Sequence, residues 1–84
     1  MLERSQTPIR AAGHHPCIVR IAGQPLQRGL ITDYGRTGAR LVIRGAASLP
    51  DTVEIMCMGI GVQTRAEVIW RNADALGLSW QDAA

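Results

Sequence analysis

The sequence predicts an all-β domain, a small six-stranded antiparallel β-barrel, and three observations indicate this fold. Apolar and polar residues alternate with a period of two in several short segments, as in strands that bury one face. Glycine, proline, asparagine and aspartate separate these segments at regular intervals, and no long amphipathic helix is apparent. The 84 residues, 46% of them hydrophobic, suffice for one small domain. A barrel is favoured because closure removes the exposed sheet edges that so small a domain could not easily cover.

The chain is expected to begin with a flexible leader over residues 1–16, followed by the barrel over residues 17–80 and a tail over residues 81–84. Pro8 and Pro16 argue against regular helix or central-strand pairing in the leader. The amino terminus is polar and charged, so no signal peptide is expected. No segment is long and apolar enough to predict a membrane span.

The first half of the barrel is predicted from alternation and turns. Residues 17–21 form the first strand, with the odd-numbered side chains inward. A turn signal at residues 23–25 precedes the second strand, residues 29–32, which ends at Asp33. Residues 39–44 alternate again and predict a third strand whose odd-numbered residues are buried.

The second half follows the same logic. Residues 45–51 form a connection with room for one helical turn, and residues 59–61 a hairpin turn. The longest strand covers residues 62–71, and residues 76–80 form the last. The inward-facing residues predicted for the last three strands are Val53, Ile55, Cys57, Val62, Thr64, Ala66, Val68, Trp70, Leu76, Leu78 and Trp80.

The charge balance is too weak to indicate a general DNA- or RNA-binding protein. Nine basic residues stand against seven acidic ones, for a net charge of +2. All nine are arginine, whose planar fork can hold phosphate or a guanine edge, although codon usage in an arginine-rich genome is the preferred explanation. A single-stranded nucleic-acid binder would need aromatic stacking platforms. Tyr34 is the only tyrosine, and Trp70 and Trp80 are expected in the core.

Neither an enzyme nor a metal site is expected. No motif places a nucleophile beside His14 or His15, and the acids are scattered. The run at residues 14–17 contains two histidines and Cys17, yet only Cys57 would complete a zinc set, so a loop before a strand is the preferred interpretation. Two cysteines without metal-like spacing indicate free, buried thiols and a cytoplasmic setting.

The turn over residues 33–38 is the strongest functional lead. The Asp33 carboxylate can accept both donors on the edge of a guanine, and successive amides in a glycine-containing turn can point at an anion. The alternative is a wide hairpin loop in which Asp33 caps its own turn. On spacing alone, the hairpin loop is the preferred interpretation.

The run Leu-Ile-Thr-Asp-Tyr-Gly-Arg-Thr-Gly-Ala-Arg-Leu over residues 30–41 resembles the middle of a PilZ domain, in which an Asp/Asn-x-Ser-x-x-Gly motif precedes an apolar strand. Downstream, Ser-Leu-Pro at residues 48–50 precedes a strand. Residues 65–71 and 75–80 then resemble the family's closing strand pair. The resemblance extends over roughly residues 4–80, with a pattern that is moderately specific.

The resemblance implies a six-stranded barrel that binds cyclic di-GMP. In the family an amino-terminal Arg-x-x-x-Arg segment wraps the guanine and phosphate of the ligand, and the turn supplies the opposing surface. Asp33 and Gly38 match the turn motif, whereas Gly35 stands at the serine position. Arg4 and Arg10 are separated by five residues instead of three, up to about 7 Å more extended chain. The implied site is therefore Arg4, Arg10, Asp33, Gly35 and Gly38.

Two functions are accordingly expected. The first is a cyclic di-GMP receptor or adaptor module of weakened affinity in bacterial second-messenger signalling, with a leader that orders on binding. The second is a degenerate PilZ adaptor that binds no nucleotide and acts by contact with a partner protein. Met56, Met58 and Ile69, on outward strand positions, would provide a binding patch or pack against the leader or a second copy, which leaves monomer and homodimer open.

Overall fold

The computed structural model describes residues 11–80, and within them six antiparallel strands close into a barrel in the order β1-β2-β3-β6-β5-β4. This confirms the predicted fold. The strands are β1 (Ala11–Arg20), β2 (Gln27–Tyr34), β3 (Gly38–Val42), β4 (Thr52–Cys57), β5 (Val62–Arg71) and β6 (Ala75–Trp80). Short 3₁₀ helices occupy Ala46–Ser48 and Met58–Ile60. Across the described chain, no helix has the length and apolar character to cross a membrane.

Every strand contributes apolar side chains to one core inside the barrel. The alternation predicted for β4 is confirmed, since its residues are exposed and buried in turn, and β3 buries Leu41 while leaving Arg40 exposed. Fully burying a large aliphatic side chain contributes about 1.5–3 kcal/mol. The largest fully buried side chains are Ile31, Leu41, Ile55, Leu76, Leu78, Val19, Val53 and Cys57.

Strand β1 starts at Ala11, whereas the sequence predicted a strand only from Cys17. Pro16 lies within the strand and is the register partner of Leu30 in β2. Pairing of β1 with β4 begins only at Ile18, so over Pro16 the strand has one strand neighbour among the described residues. A strand edge is where the missing N–H of proline is tolerated.

The connection between β3 and β4 is fastened to β5 by one arginine. The Arg71 guanidinium donates to the carbonyl of Leu49, and its Nη2 lies 2.6 Å from Asp51 Oδ1. Gly45 starts the connection with φ 72°, a left-handed conformation that favours glycine. The predicted single helical turn is confirmed at Ala46–Ser48.

The barrel closes along a short seam between β1 and β4, where three register pairs join Ile18–Arg20 to Glu54–Met56. Continuing this register by one residue places Cys17 opposite Cys57. Both thiols are free and buried, as predicted, and Cys57 Sγ donates to the Pro16 carbonyl at 3.4 Å. Burial raises the pKa of Cys17 to about 11, with a smaller contribution from the neighbouring Cys57 thiol.

The first and last described residues lie at the same end of the barrel. Ala11 is the register partner of Tyr34, the final residue of β2. The Trp80 amide, which ends β6, donates to the Thr37 carbonyl at 3.0 Å. Both therefore lie beside the hairpin that joins β2 to β3.

Candidate functional site

The predicted turn forms one wall of an open cleft of about 560 Å³ on the outside of the barrel. Residues 33–40 of the β2–β3 hairpin line one side. Ile69 and Trp70 of β5 and residues 77–79 of β6 line the other. The cleft thus joins the turn to a part of β5 that sequence analysis had not connected with it.

A β-bulge in β2 turns Asp33 toward this cleft. Ile31 pairs with Leu41 and Asp33 pairs with Arg40, so Thr32 is an extra residue in β2 with no register partner in β3. Without the extra residue, Asp33 would share the inward face of Ile31, because side chains alternate strictly along a regular strand. A bulge re-aims the side chain that follows it, and here the carboxylate faces outward beside Arg40.

A second bulge, in β5, does the same for Trp70. Val68 pairs with Leu78 and Trp70 with Gly77, which makes Ile69 the extra residue. The prediction that Trp70 belongs to the core is therefore wrong, and 43% of this residue is exposed. The corresponding prediction for Trp80 is confirmed, because only 7% of it is exposed.

The two bulges bring four residues into one row across four strands. The row runs from Asp33 to Arg40, then to Gly77 and Trp70, each the register partner of the next. Three strand spacings of about 4.8 Å place the ends of the row roughly 14 Å apart along the surface. An added Cβ at Gly77 would meet the indole of Trp70, so the ring lies directly over the glycine.

The hairpin turn is held in a fixed position. The Gly35 amide donates to the Gly38 carbonyl at 2.9 Å. The indole nitrogen of Trp80 donates to the Arg36 carbonyl at 3.1 Å, next to the bond from the Trp80 amide to Thr37. These bonds tie the turn to the end of β6, so the cleft wall is preorganised.

Strand packing explains why position 38 is a glycine, which the sequence alone did not indicate. Gly38 lies in β3 opposite Ser79, and an added Cβ would collide with the Leu78 carbonyl oxygen. The glycine is therefore required for the close approach of β3 to β6, and its backbone is not left-handed. At Gly35, the position of the motif serine, the turn offers no hydroxyl.

Arginine dominates the charge in the cleft. Arg36 and Arg40 are both exposed. Within residues 11–80, neither guanidinium makes a hydrogen bond or an ion pair. Asp33 is half-buried on the same wall. Beside it Tyr34 packs edge-to-face on His15, with ring centroids 5.5 Å apart, which closes the β1 side of the hairpin.

Three of the five site residues predicted from the sequence, Asp33, Gly35 and Gly38, line the same cleft. Arg4 and Arg10 lie outside the described residues, although Ala11 enters the barrel beside the cleft. Arg40 and Trp70 also line the cleft, although the sequence did not predict them as site residues. A glycine at position 77 inside an alternating strand is the signal that pointed to a close contact or a bulge there.

The exposure predicted for Met56, Met58 and Ile69 is confirmed, at 41%, 74% and 64% respectively. Met58, however, lies in the 3₁₀ helix that follows β4 and not in a strand. The three residues do not share one cavity. Ile69 lines the cleft, whereas Met56 lines a separate groove with Leu26 and Arg65.

No protein-family model matches the chain, and no curated protein matches it significantly.

Proposed function

We propose that this protein is a PilZ-type receptor module that binds cyclic di-GMP with weakened affinity. The observation that carries the proposal is the row of Asp33, Arg40, Gly77 and Trp70. Two independent bulges turn a carboxylate and an indole onto the same outer face, beside a guanidinium that no described residue neutralises. Bulges of this kind are frequent next to functional sites because they re-aim side chains.

Each group matches one part of a guanine nucleotide. The Asp33 carboxylate accepts hydrogen bonds from the guanine edge, a charge-assisted contact. Stacking of a base on an aromatic ring such as Trp70 contributes about 1–3 kcal/mol. The Arg36 and Arg40 guanidiniums suit phosphate oxygens, which they can hold bidentately.

The weakened affinity follows from what the turn lacks. Gly35 supplies no hydroxyl where the motif has serine, and a hydrogen bond to a charged group contributes about 1.5–3 kcal/mol. Such a loss corresponds to roughly one to two decades in the dissociation constant. Cyclic di-GMP is therefore expected to bind more weakly by that factor than it would to the same site with serine at position 35.

The test is a calorimetric titration of the full chain with cyclic di-GMP. Saturable heat is expected for the wild type, with binding weakened by about tenfold or more in Asp33→Ala and in Trp70→Leu. Glu54→Gln is the matched control, because it changes a surface carboxylate outside the cleft. Absence of heat and of any melting-temperature shift for the wild type at millimolar ligand would exclude the proposal.

The alternative is a PilZ-type adaptor that binds no nucleotide and acts by protein contact. One observation favours it: Gly38 is accounted for by the packing of β3 on β6, so its presence does not require a ligand. This alternative predicts that the titration shows no heat while the barrel still melts cooperatively. A measurable cyclic di-GMP affinity that depends on Asp33 would refute it.

A further inference from the structure

A second surface, outside the cleft, carries two further exposed apolar residues. Leu26, in the β1–β2 loop, is 64% exposed and Met56 is 41% exposed. Together with Ile18 they line a groove of about 450 Å³ on the outer face of β1, β4 and β5. Exposed apolar residues that gather in one concave groove mark a binding surface more often than scattered ones do.

The charges that line this groove are mainly positive. Arg20 and Arg65 line it with a single carboxylate, Glu54. Glu54 is the register partner of both arginines. Its ion pair with Arg20, at 3.7 Å, is solvent-exposed, and exposed pairs of this kind contribute little. One carboxylate therefore cannot neutralise both guanidiniums.

Two further arginines extend the positive edge. Arg28 is the register partner of Ile18 in the groove. Arg44 lies in the turn that follows the end of β3 at Val42. Both line one shallow cavity with Pro16, Leu30 and Val42, and within the described chain neither makes an ion pair. Like charges that line one cavity repel each other, and an acidic ligand would relieve that repulsion.

We propose that this surface, the arginine-edged groove formed by Ile18, Leu26, Met56, Arg20, Arg65, Arg28 and Arg44, binds an acidic segment of a partner protein that carries one apolar anchor. The anchor fills the groove over Ile18 and Met56. Carboxylates of the segment lie against Arg65 on one side and against Arg28 and Arg44 on the other.

The register sets the spacing that the partner must have. Met56, Ile18 and Arg28 lie in register on three adjacent strands, so Met56 and Arg28 are separated by two strand spacings of about 4.8 Å, roughly 10 Å. An extended chain advances about 3.4 Å per residue. An acid that reaches Arg28 therefore lies about three residues from the anchor.

A second copy of the chain is a poorer occupant. Docked groove to groove, it would oppose four arginines to four arginines with two glutamates between them, and like-charge juxtaposition across an interface is unfavourable.

The experiment is selection of displayed random 12-residue peptides on the full-length protein, followed by fluorescence titration of the enriched peptides. We expect enriched peptides to combine an apolar residue with an Asp or Glu about three positions away. Met56→Gln and Arg28→Glu should each weaken their binding about tenfold or more. Arg36→Glu is the control, because it reverses a charge in the cleft and not in the groove. It should change the affinity for these peptides by no more than about twofold, whereas a tenfold change corresponds to 1.4 kcal/mol.

The same samples test the competing occupants. Peptides without acidic residues, failure to enrich any peptide, or equal weakening by Arg36→Glu would overturn the proposal. So would a concentration-dependent dimer in light scattering that Arg28→Glu disrupts, or binding to phosphatidylserine vesicles in preference to acidic peptides. Circular dichroism of each variant establishes that the barrel is retained.

Discussion

Gly77 and Trp70 depend on each other at the scale of single residues. The indole covers the space that a Cβ at position 77 would occupy. Packing a ring over a strand glycine shields a backbone that lacks its own side chain. This contact fixes the ring on the outer face, where the row of cleft residues ends.

Replacing Gly77 by alanine should displace the indole. We expect a loss of about 1–3 kcal/mol in the free energy of unfolding, as for other overpacking substitutions, and a shift in tryptophan emission. Urea denaturation followed by fluorescence measures both. Gly59→Ala is the control, because its Cβ would have only an ordinary contact with His15; equal effects of the two substitutions would contradict the proposed contact.

Cys17 should make stability fall at alkaline pH. Its pKa in the folded state is about 11 against an ordinary value of 9.0, chiefly because it is buried. Between these two values the unfolded chain loses the thiol proton before the folded chain does, so deprotonation favours unfolding. The contribution is intact below pH 9 and is lost as pH rises toward 11, up to about 3 kcal/mol at 1.36 kcal/mol per pKa unit.

Urea unfolding in reductant at pH 8 and pH 10.5 provides the measurement. The wild type should lose more stability between the two pH values than Cys17→Ala, which lacks the thiol but keeps the other titrating groups. An identical loss in both proteins would show that Cys17 does not carry the effect.

The bulges are the informative features at the scale of elements. In β5, Ile69 is the residue that has no partner in β6. Removing it leaves Val68 opposite Leu78 and Trp70 opposite Gly77 as consecutive, regular pairs. In β4 the register runs without interruption from Thr52 to Cys57, so a deletion there turns half of the strand to the wrong face.

Deletion of Ile69 should therefore be far less damaging than deletion of Glu54, although both residues are exposed. We expect the Ile69 deletion to fold cooperatively with Trp70 still outward. The Glu54 deletion should lose most of its stability, because it misplaces either Val53 or Ile55. Thermal melts followed by circular dichroism compare the two, and equal losses would argue against the bulge assignment.

These elements show how far sequence reasoning extends. Alternation identified the strands because barrel side chains must face alternately the core and solvent, and Val53, Ile55 and Leu76 lie as predicted. The same rule failed at Trp70, because an inserted residue reverses the alternation without changing residue types. The predicted start of β1 was wrong for a different reason. Proline is excluded from central strands, but β1 is an edge at Pro16. The cleft arises from pairing between distant strands, which no local pattern encodes.

At the scale of the whole molecule, the barrel depends on a short seam. Three register pairs join β1 to β4, whereas β1 and β2 share seven pairs. Closing the seam brings together residues some 34 positions apart, from Arg20 to Glu54. Pairing of such distant segments forms slowly. It stabilises the fold only after the conformational entropy of the intervening chain has been lost.

Opening should therefore begin at this seam. Val19→Ala, which removes buried volume at the seam centre, should cost about 2–4 kcal/mol and accelerate amide exchange in β1 and β4 more than in β3 and β6. Leu41→Ala is the matched core truncation on the opposite side of the barrel. Uniform acceleration across all strands in both variants would show that the barrel opens only as a whole.

The placement of Ala11 and Trp80 has a consequence for communication between this barrel and anything joined to it. The chain enters the barrel beside Tyr34 and leaves it beside Thr37, so both junctions border the cleft. A molecule bound in the cleft would contact Tyr34 and Thr37, the residues next to these two junctions. A fluorophore attached at either junction would consequently report on occupancy of the cleft, and one placed in the Gly23 loop near the opposite end would serve as the silent reference.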